Sequence, residues 1–185
     1  MFDSDSSCRY ERHFRRIQLG LRLLAHGARA HTASEWSGLT PDRLVTLKRR
    51  WLPKARNGFR GPAPTSFQVF WKSAGRSHEA TIFASIHHSL SQLIFGTEKP
   101  APLRPCLENG EALCEAFEIF REWEPSSSIT FDQAALLAKG IARCEDVSLG
   151  CCSACGRAVV LDLCAKRRDQ CPSCRKKSSK AGVGP

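Results

Sequence analysis

The chain consists of stretches in which hydrophobic residues recur every three or four positions, separated by short breaks rich in glycine and proline. This spacing is typical of amphipathic helices, because one turn of an α-helix takes 3.6 residues. The helices predicted from it cover about 11–29, a short segment that ends at Gly38, 41–52, 66–71, 77–95, 110–123 and 131–143. A protein built from these elements is mainly α.

The first predicted helix is apolar over much of its circumference. Ile17, Leu19, Leu21, Leu23 and Leu24 lie on more than one side of it. Such a helix is either central to a hydrophobic core or covered by a partner chain. We therefore expect the chain to be poorly soluble alone and to need a partner that covers this helix.

Segment 30–51 has the pattern of a helix-turn-helix. Gly38 ends a short helix, Thr40 is a favourable N-cap, and Pro41 suits the first position of the next helix. The expected packing positions are Ala33, Leu39, Leu44 and Leu47. Many helical hairpins share this pattern, so it indicates DNA binding only together with the charge of the segment.

Hydrophobic periodicity also predicts the inward positions of the later helices. For the helix over 77–95 they are Ala80, Ile82, Phe83, Ile86, Leu90, Leu93 and Ile94. For the helix over 110–123 they are Leu113, Phe117, Phe120 and Trp123. The acidic residues of the helix over 110–123 are interpreted as a solvated face.

Charge is abundant and segregated along the sequence. The 185 residues carry a net charge of +10, with basic runs over 42–60 and 166–180 and an acidic run over 108–132. This balance favours a polyanionic partner, although each run alone is also compatible with a solvated face. The arm over 54–65 either follows DNA or links two domains. The residues predicted to bind DNA are Arg43, Lys48, Arg49, Arg50, Lys54, Arg56, Arg60, Lys176 and Lys177.

Two C-x-x-C pairs lie near the end of the chain. Cys152 and Cys155 form the first, Cys171 and Cys174 form the second, and fifteen residues separate them. This spacing is a zinc signature, and four thiolates close a tetrahedron with no position open for catalysis. We predict one structural zinc ion per chain. The β-prone segment 158–163 between the pairs indicates a module similar to a zinc ribbon.

Other interpretations of these cysteines remain open at this point. Disulfides need an oxidising compartment, and the N-terminus lacks the basic and apolar regions of a secretory signal. An iron site uses the same four thiolates. Cys151 and Cys164 lie within the same segment and are predicted to be spare thiols, since a Cys151–Cys155 pair would have less suitable spacing.

The sequence contains no motif typical of an enzyme active site. We find no nucleophile elbow, no phosphate-binding loop and no helix that offers two histidines and a glutamate. No apolar run approaches the length of a membrane span. The expectation is a cytoplasmic protein that is neither an enzyme nor a membrane protein.

Several motifs resemble one known family. They are IQLGLRLLAHGAR at 17–29, LVTLK at 44–48, GPAPTSFQVFW at 61–71 and the four-cysteine box, and together they are similar to the flagellar transcriptional regulator FlhC family. The resemblance implies a transcriptional activator that acts with FlhD in a hetero-oligomer on the promoter DNA of flagellar class II operons, with RNA polymerase as a further partner. It also implies that Cys152, Cys155, Cys171 and Cys174 bind the zinc ion.

The alternative function is an RNA-binding or ribosome-associated zinc-ribbon protein with the same charge. Either function fits the predicted organisation of the chain. We expect a disordered N-terminus over 1–10, a helical domain over 11–145 that contains the helix-turn-helix-like segment, a zinc-binding module over 146–177 and a flexible tail over 178–185.

Overall fold

A computed structural model describes residues 4–52, 63–96, 104–144, 146–165, 169–171 and 173–174. The helices are α1 (Ser4–Ala25), α2 (Ala30–Ser37), α3 (Pro41–Trp51), α4 (Ala74–Phe95), α5 (Leu107–Trp123) and α6 (Phe131–Arg143), with a 3-10 helix at Phe67–Trp71. Two strands, β1 (Val147–Cys151) and β2 (Ala158–Asp162), form an antiparallel hairpin. The prediction of a mainly helical fold with a small cysteine-containing module is confirmed.

The chain divides into two compact units. Unit 1 comprises Met1–Ala63, Arg104–Glu115 and Thr130–Asp132, and unit 2 comprises Pro64–Leu103, Ala116–Ile129 and Gln133–Pro185. In unit 2, both strands of the hairpin contact α4. The proposed boundary between a helical domain ending at 145 and a module starting at 146 stays a prediction.

Helix α1 is the centre of unit 1, because it packs against both α2 and α3. Its Leu19, Leu23 and Leu24 are buried, as are Trp36 of α2 and Leu44 of α3. The close approach of α1 to α3 depends on Gly20, where an added Cβ atom would lie 2.8 Å from Leu44 Cδ2. A larger residue at this position would push the two helices apart.

The turn between α2 and α3 has the geometry predicted from the sequence. Gly38 adopts a left-handed conformation with φ of 69° and donates its N–H to the Ser34 carbonyl. Thr40 Oγ1 accepts the backbone N–H of Arg43 at 3.4 Å, and Pro41 begins α3. These contacts satisfy backbone groups that a helix end leaves free. Of the predicted packing positions, Ala33, Leu39 and Leu44 are buried and Leu47 is half-buried.

A buried carboxylate, that of Asp132, connects two segments of unit 1 that are distant in the sequence. Asp132 is only 3% exposed and accepts hydrogen bonds from the Arg29 guanidinium at 2.6 Å, the Arg29 backbone N–H at 3.2 Å and Thr32 Oγ1 at 2.6 Å. A buried charge is tolerated when it is paired and hydrogen-bonded in this way. Asp132 therefore links the start of α2 to the start of α6.

The acidic face of α5 is only partly solvated. Arg15 donates to the Glu111 carboxylate at 2.6 Å, and Arg22 donates to the Glu115 carboxylate at 2.7 Å. Glu115 is exposed and Glu111 is about one-third exposed, so both carboxylates still contact solvent, but each also pairs with an arginine of α1 that lies far away in the sequence. Exposed pairs of this kind stabilise by about 1 kcal/mol or less.

Aromatic residues form the core of unit 2. Phe83 of α4 packs edge-to-face against Phe120 of α5, with ring centroids 5.8 Å apart, and Phe117 completes the cluster. The β-hairpin joins α4 through a hydrogen bond of 3.2 Å from the Val160 N–H to Thr81 Oγ1. The hairpin is thus attached to the helical core by both packing and a directional contact.

Some predicted boundaries were wrong. Helix α1 begins at Ser4 and ends at Ala25, whereas a helix over 11–29 was predicted. Residues 1–3 of the predicted disordered segment over 1–10 lie outside the described residues. Serine and aspartate, which suggested disorder, also favour the first turn of a helix. The segment at Phe67–Trp71 is a 3-10 helix, and the Ser66 side chain caps it by accepting the Gln68 backbone N–H.

Three hydrophobic residues predicted to face inward are exposed. Leu93 is 83% exposed, Ile94 is 52% exposed and Trp123 is 70% exposed. All three lie in the last turn of their helices, α4 and α5. Periodicity identifies the face of a helix that packs, but it does not show where along the helix the packing ends.

His87 is a half-buried titratable residue in α4 whose Nε2 atom is buried. Its ring stacks on Phe83 at 6.0 Å, and its Nε2 atom has no hydrogen-bond partner among the described residues. Burial, assisted by the neighbouring charge of His88, lowers the pKa of His87 to about 4. The folded state therefore favours neutral imidazole, whereas the unfolded chain binds a proton near the ordinary pKa of about 6.5.

This difference predicts an acid-sensitive stability. Because the folded-state pKa lies below the unfolded value, the free energy of unfolding should fall as the pH drops from about 6.5 to 4, with His87 contributing up to about 3 kcal/mol. The substitution His87→Gln should remove this contribution. The measurement is urea denaturation of the full chain at several pH values, with His78→Gln at an exposed position of the same helix as the control. Equal pH dependence in His87→Gln and the wild type would contradict the assignment.

Candidate functional site

The four predicted cysteines come together in unit 2. The sulfur atoms of Cys152, Cys155, Cys171 and Cys174 all lie within 4.8 Å of one another. A tetrahedral metal with metal–sulfur bonds of about 2.3 Å would hold its sulfurs about 3.8 Å apart, which small side-chain rotations can achieve from this arrangement. The group can therefore hold a metal ion.

Local backbone geometry places the first two sulfurs. The chain leaves β1 into a tight loop in which Gly156, with φ of 70°, donates its N–H to the Cys152 carbonyl at 2.8 Å. The Cys152 N–H donates to the Arg157 carbonyl at 2.9 Å, which starts the return into β2. A residue with a Cβ atom would adopt the Gly156 conformation only with strain. The loop thus orients Cys152 and Cys155 towards the same point.

The second pair is joined to the first by backbone contacts. The Cys171 N–H points at Cys152 Sγ at 3.2 Å, and the Cys174 N–H points at Cys171 Sγ at 3.4 Å. The Ser153 N–H donates to the Asp169 carbonyl at 2.8 Å. Backbone N–H groups directed at sulfur favour the thiolate, which is the form that binds metals.

The electrostatics of the cluster favour a cation once its thiols ionise. Hydrogen bonds from backbone N–H groups, chiefly that of Cys171, lower the pKa of Cys152 to about 6. Hydrogen bonding with the sulfurs of Cys171 and Cys155 raises the pKa of Cys174 to about 12. Four sulfurs this close cannot all carry negative charge unless a positive ion lies among them. The donor set therefore fits a divalent metal bound by four thiolates.

The two remaining cysteines of the segment lie outside the cluster. Cys151 ends β1 and pairs with Ala158 in the hairpin. Cys164 donates its S–H to the Asp146 carboxylate at 3.4 Å, and its backbone N–H binds Asp162. The sulfurs that the structure brings together include those of the pair that starts at Cys152, and metal binding by them stays a prediction.

The basic residues predicted to bind DNA are only partly described by the structure. On α3, Arg43, Arg49 and Arg50 are exposed and Lys48 is half-buried. The Arg43 guanidinium contacts His13 Nε2 of α1 at 3.5 Å, and that of Arg50 lies 5.7 Å from the centre of the Trp51 ring. Lys54, Arg56, Arg60, Lys176 and Lys177 lie outside the described residues.

The exposed face of α3 contains three residues that the prediction omitted. Asp42, Val45 and Thr46 are exposed on the same side as Arg49. Their spacing of three and four residues places them together on a helix. Counting charge along the sequence cannot find them, because only Asp42 is charged, whereas helical spacing from the packing position Leu44 identifies this face.

No protein-family model matches the chain, and no curated protein matches it at a significant level. The similarity to the FlhC family consequently rests on the sequence motifs alone. Among the helices that the structure describes, none has both the length and the apolar character needed to cross a bilayer.

The cluster predicts which cysteines bind metal. Cys155→Ser should lower metal affinity at least about 100-fold, because loss of a direct ligand exceeds the effect of losing an outer hydrogen-bond partner, and the hairpin module should unfold. Cys151→Ser, which changes an equally exposed thiol outside the cluster, should keep the wild-type metal content.

The measurements are metal content by elemental analysis and thiol accessibility under native conditions. Cys164→Ser serves as a second control, because its sulfur contacts Asp146 and not the cluster. Loss of metal from either control would show that the set of ligands is wrong.

Proposed function

We propose that this protein is the DNA-binding subunit of a transcriptional activator that acts with FlhD in a hetero-oligomer to switch on flagellar class II operons. The observation that carries the proposal is the geometry of α1, α2 and α3. A short helix, a three-residue turn with left-handed Gly38 and a capped second helix, both packed on α1, resemble a helix-turn-helix, in which the second helix docks in the major groove.

The chemistry of α3 supports DNA as the ligand. Its apolar side is occupied by Leu44, which is fully buried, so the opposite side faces solvent. Arg49 and Arg50 are exposed there and carry the charge that phosphate contacts require.

The metal we propose is zinc, one ion per chain, in a structural role. Four thiolates with no other ligand are typical of structural zinc sites, which stabilise segments too small to fold alone. The ion would hold the two cysteine loops together against α4. Lys176 and Lys177, which follow Cys174 in the sequence, would then contribute phosphate contacts from the end of a folded module.

The partner we propose covers one face of α1. Tyr10 is 79% exposed and Phe14 is 59% exposed, and Ile17 and Leu21 continue the same stripe with half-buried side chains. Their spacing of four, three and four residues is that of a seam between two helices. FlhD is the partner that the motif resemblance indicates, and RNA polymerase would be recruited by the assembled activator.

DNA binding can be tested by its salt dependence. Arg49→Ala should weaken binding to a random-sequence duplex and reduce the slope of log Kd against log salt concentration by about one unit, because one phosphate contact is lost. Lys72→Ala, in unit 2, makes the same change in net charge and should leave the slope unchanged. A full-chain preparation that binds RNA hairpins more tightly than duplex DNA of equal length would favour the RNA-binding alternative instead.

The partner surface makes a separate prediction. Phe14→Glu places a charge in the centre of the exposed stripe and should abolish co-purification with co-expressed FlhD, since burying an unpaired carboxylate is costly. Leu93→Glu introduces the same charge at an exposed leucine of α4 and should have no effect. The measurements are pull-down and the molar mass of the complex in solution. Retention of FlhD by Phe14→Glu would contradict the proposed surface.

A further inference from the structure

The outward face of α3 is not simply basic. At its centre lie Asp42, Val45, Thr46 and Arg49, all exposed, and Val45 retains 40% of its surface. An exposed valine contributes nothing to a phosphate contact. A solvent-facing helix with three arginines also does not need a β-branched residue there for stability, because valine is a weaker helix former than alanine or lysine.

The hydroxyl of Thr46 is already engaged. Thr46 Oγ1 donates to the Asp42 carbonyl at 2.9 Å, a contact made within the helix. With its hydroxyl on the backbone, the side chain offers its γ-methyl group for contact with a ligand. Val45 and Thr46 therefore present adjacent methyl groups on a face that arginines border.

Arg43 is less well placed to read bases than its position near the start of α3 suggests. Its guanidinium lies against His13 of α1 at 3.5 Å. Successive helix residues are rotated by about 100°, which places Arg43 at the flank of the face rather than at its centre. The centre belongs to Val45, Thr46 and Arg49.

In the major groove, apolar contact has one specific target. Thymine alone among the four bases carries a methyl group there, at C5, and small apolar side chains recognise it. Resting on the DNA-binding function proposed above, we propose that Val45 and Thr46 determine sequence specificity by packing against thymine methyl groups of the target site, while the bordering arginines hold the phosphates.

For the test, the full chain is purified together with its partner. The complex is then used to select the duplexes that it binds from a random-sequence library. Each thymine of the selected site is then replaced by uracil, which keeps base pairing and removes only the C5 methyl. Wild-type protein should lose about fourfold in affinity at each contacted thymine, the factor for one buried methyl group. At one thymine position, Val45→Ala should bind the thymine and uracil duplexes with equal affinity. At a different thymine position, Thr46→Ser, which keeps the hydroxyl, should bind the two duplexes with equal affinity.

The controls distinguish DNA binding itself from recognition of the thymine methyl groups. Arg49→Ala should lower the affinity for both forms and keep their ratio, and Leu93→Ala, an exposed aliphatic change on α4, should leave both affinities as in the wild type. Failure to select any sequence would overturn the DNA-binding function itself. Selection of a sequence whose uracil substitution costs nothing, or costs the same in Val45→Ala and Thr46→Ser as in wild type, would overturn the thymine contact alone.

Discussion

The packing of α1 against α2 and α3 is the contact on which unit 1 depends. Gly20 lets α1 approach α3 closely, and the buried leucines of α1 fill the space between the helices. The same helix extends Arg15 and Arg22 to carboxylates of α5. One side of α1 thus fixes the angle between α2 and α3, and the stripe that begins at Tyr10 and Phe14 remains available for a partner.

Charge repulsion is the corresponding constraint on the cysteine cluster of unit 2. The hairpin is only two strands of five residues, and such a small sheet has little stability of its own. Backbone N–H groups favour ionisation of Cys152, and the nearby sulfurs oppose ionisation of Cys174. A bound cation would resolve this conflict and convert it into attraction, so metal binding would be coupled to folding of the segment.

The sequence predicts this fold best where the determinants are local. The Gly38 turn, the Thr40 cap and the cysteine pairs each depend on a few adjacent residues, and the structure confirms their geometry. Contacts distant in sequence, such as those of Arg15 with Glu111 and Arg29 with Asp132, leave no pattern in a single sequence. Strand β1 escaped prediction because Val147–Cys151 contains serine and glycine and becomes a strand by pairing with β2.

For α3, a count of charges along the sequence finds only some of the residues that the proposed DNA contact would use. Net charge identifies a helix that could approach DNA, but the attraction between its positive charge and the phosphates is the same for every base sequence. Discrimination between sequences needs groups whose contact energy differs from one base pair to another, and on this helix such groups are found by exposure and spacing. Val45, exposed on a polar face, and Thr46, whose hydroxyl is bound to Asp42, meet that requirement without any charge. In the proposed function, the residues that select the DNA site are therefore different from the residues that supply most of the attraction to it.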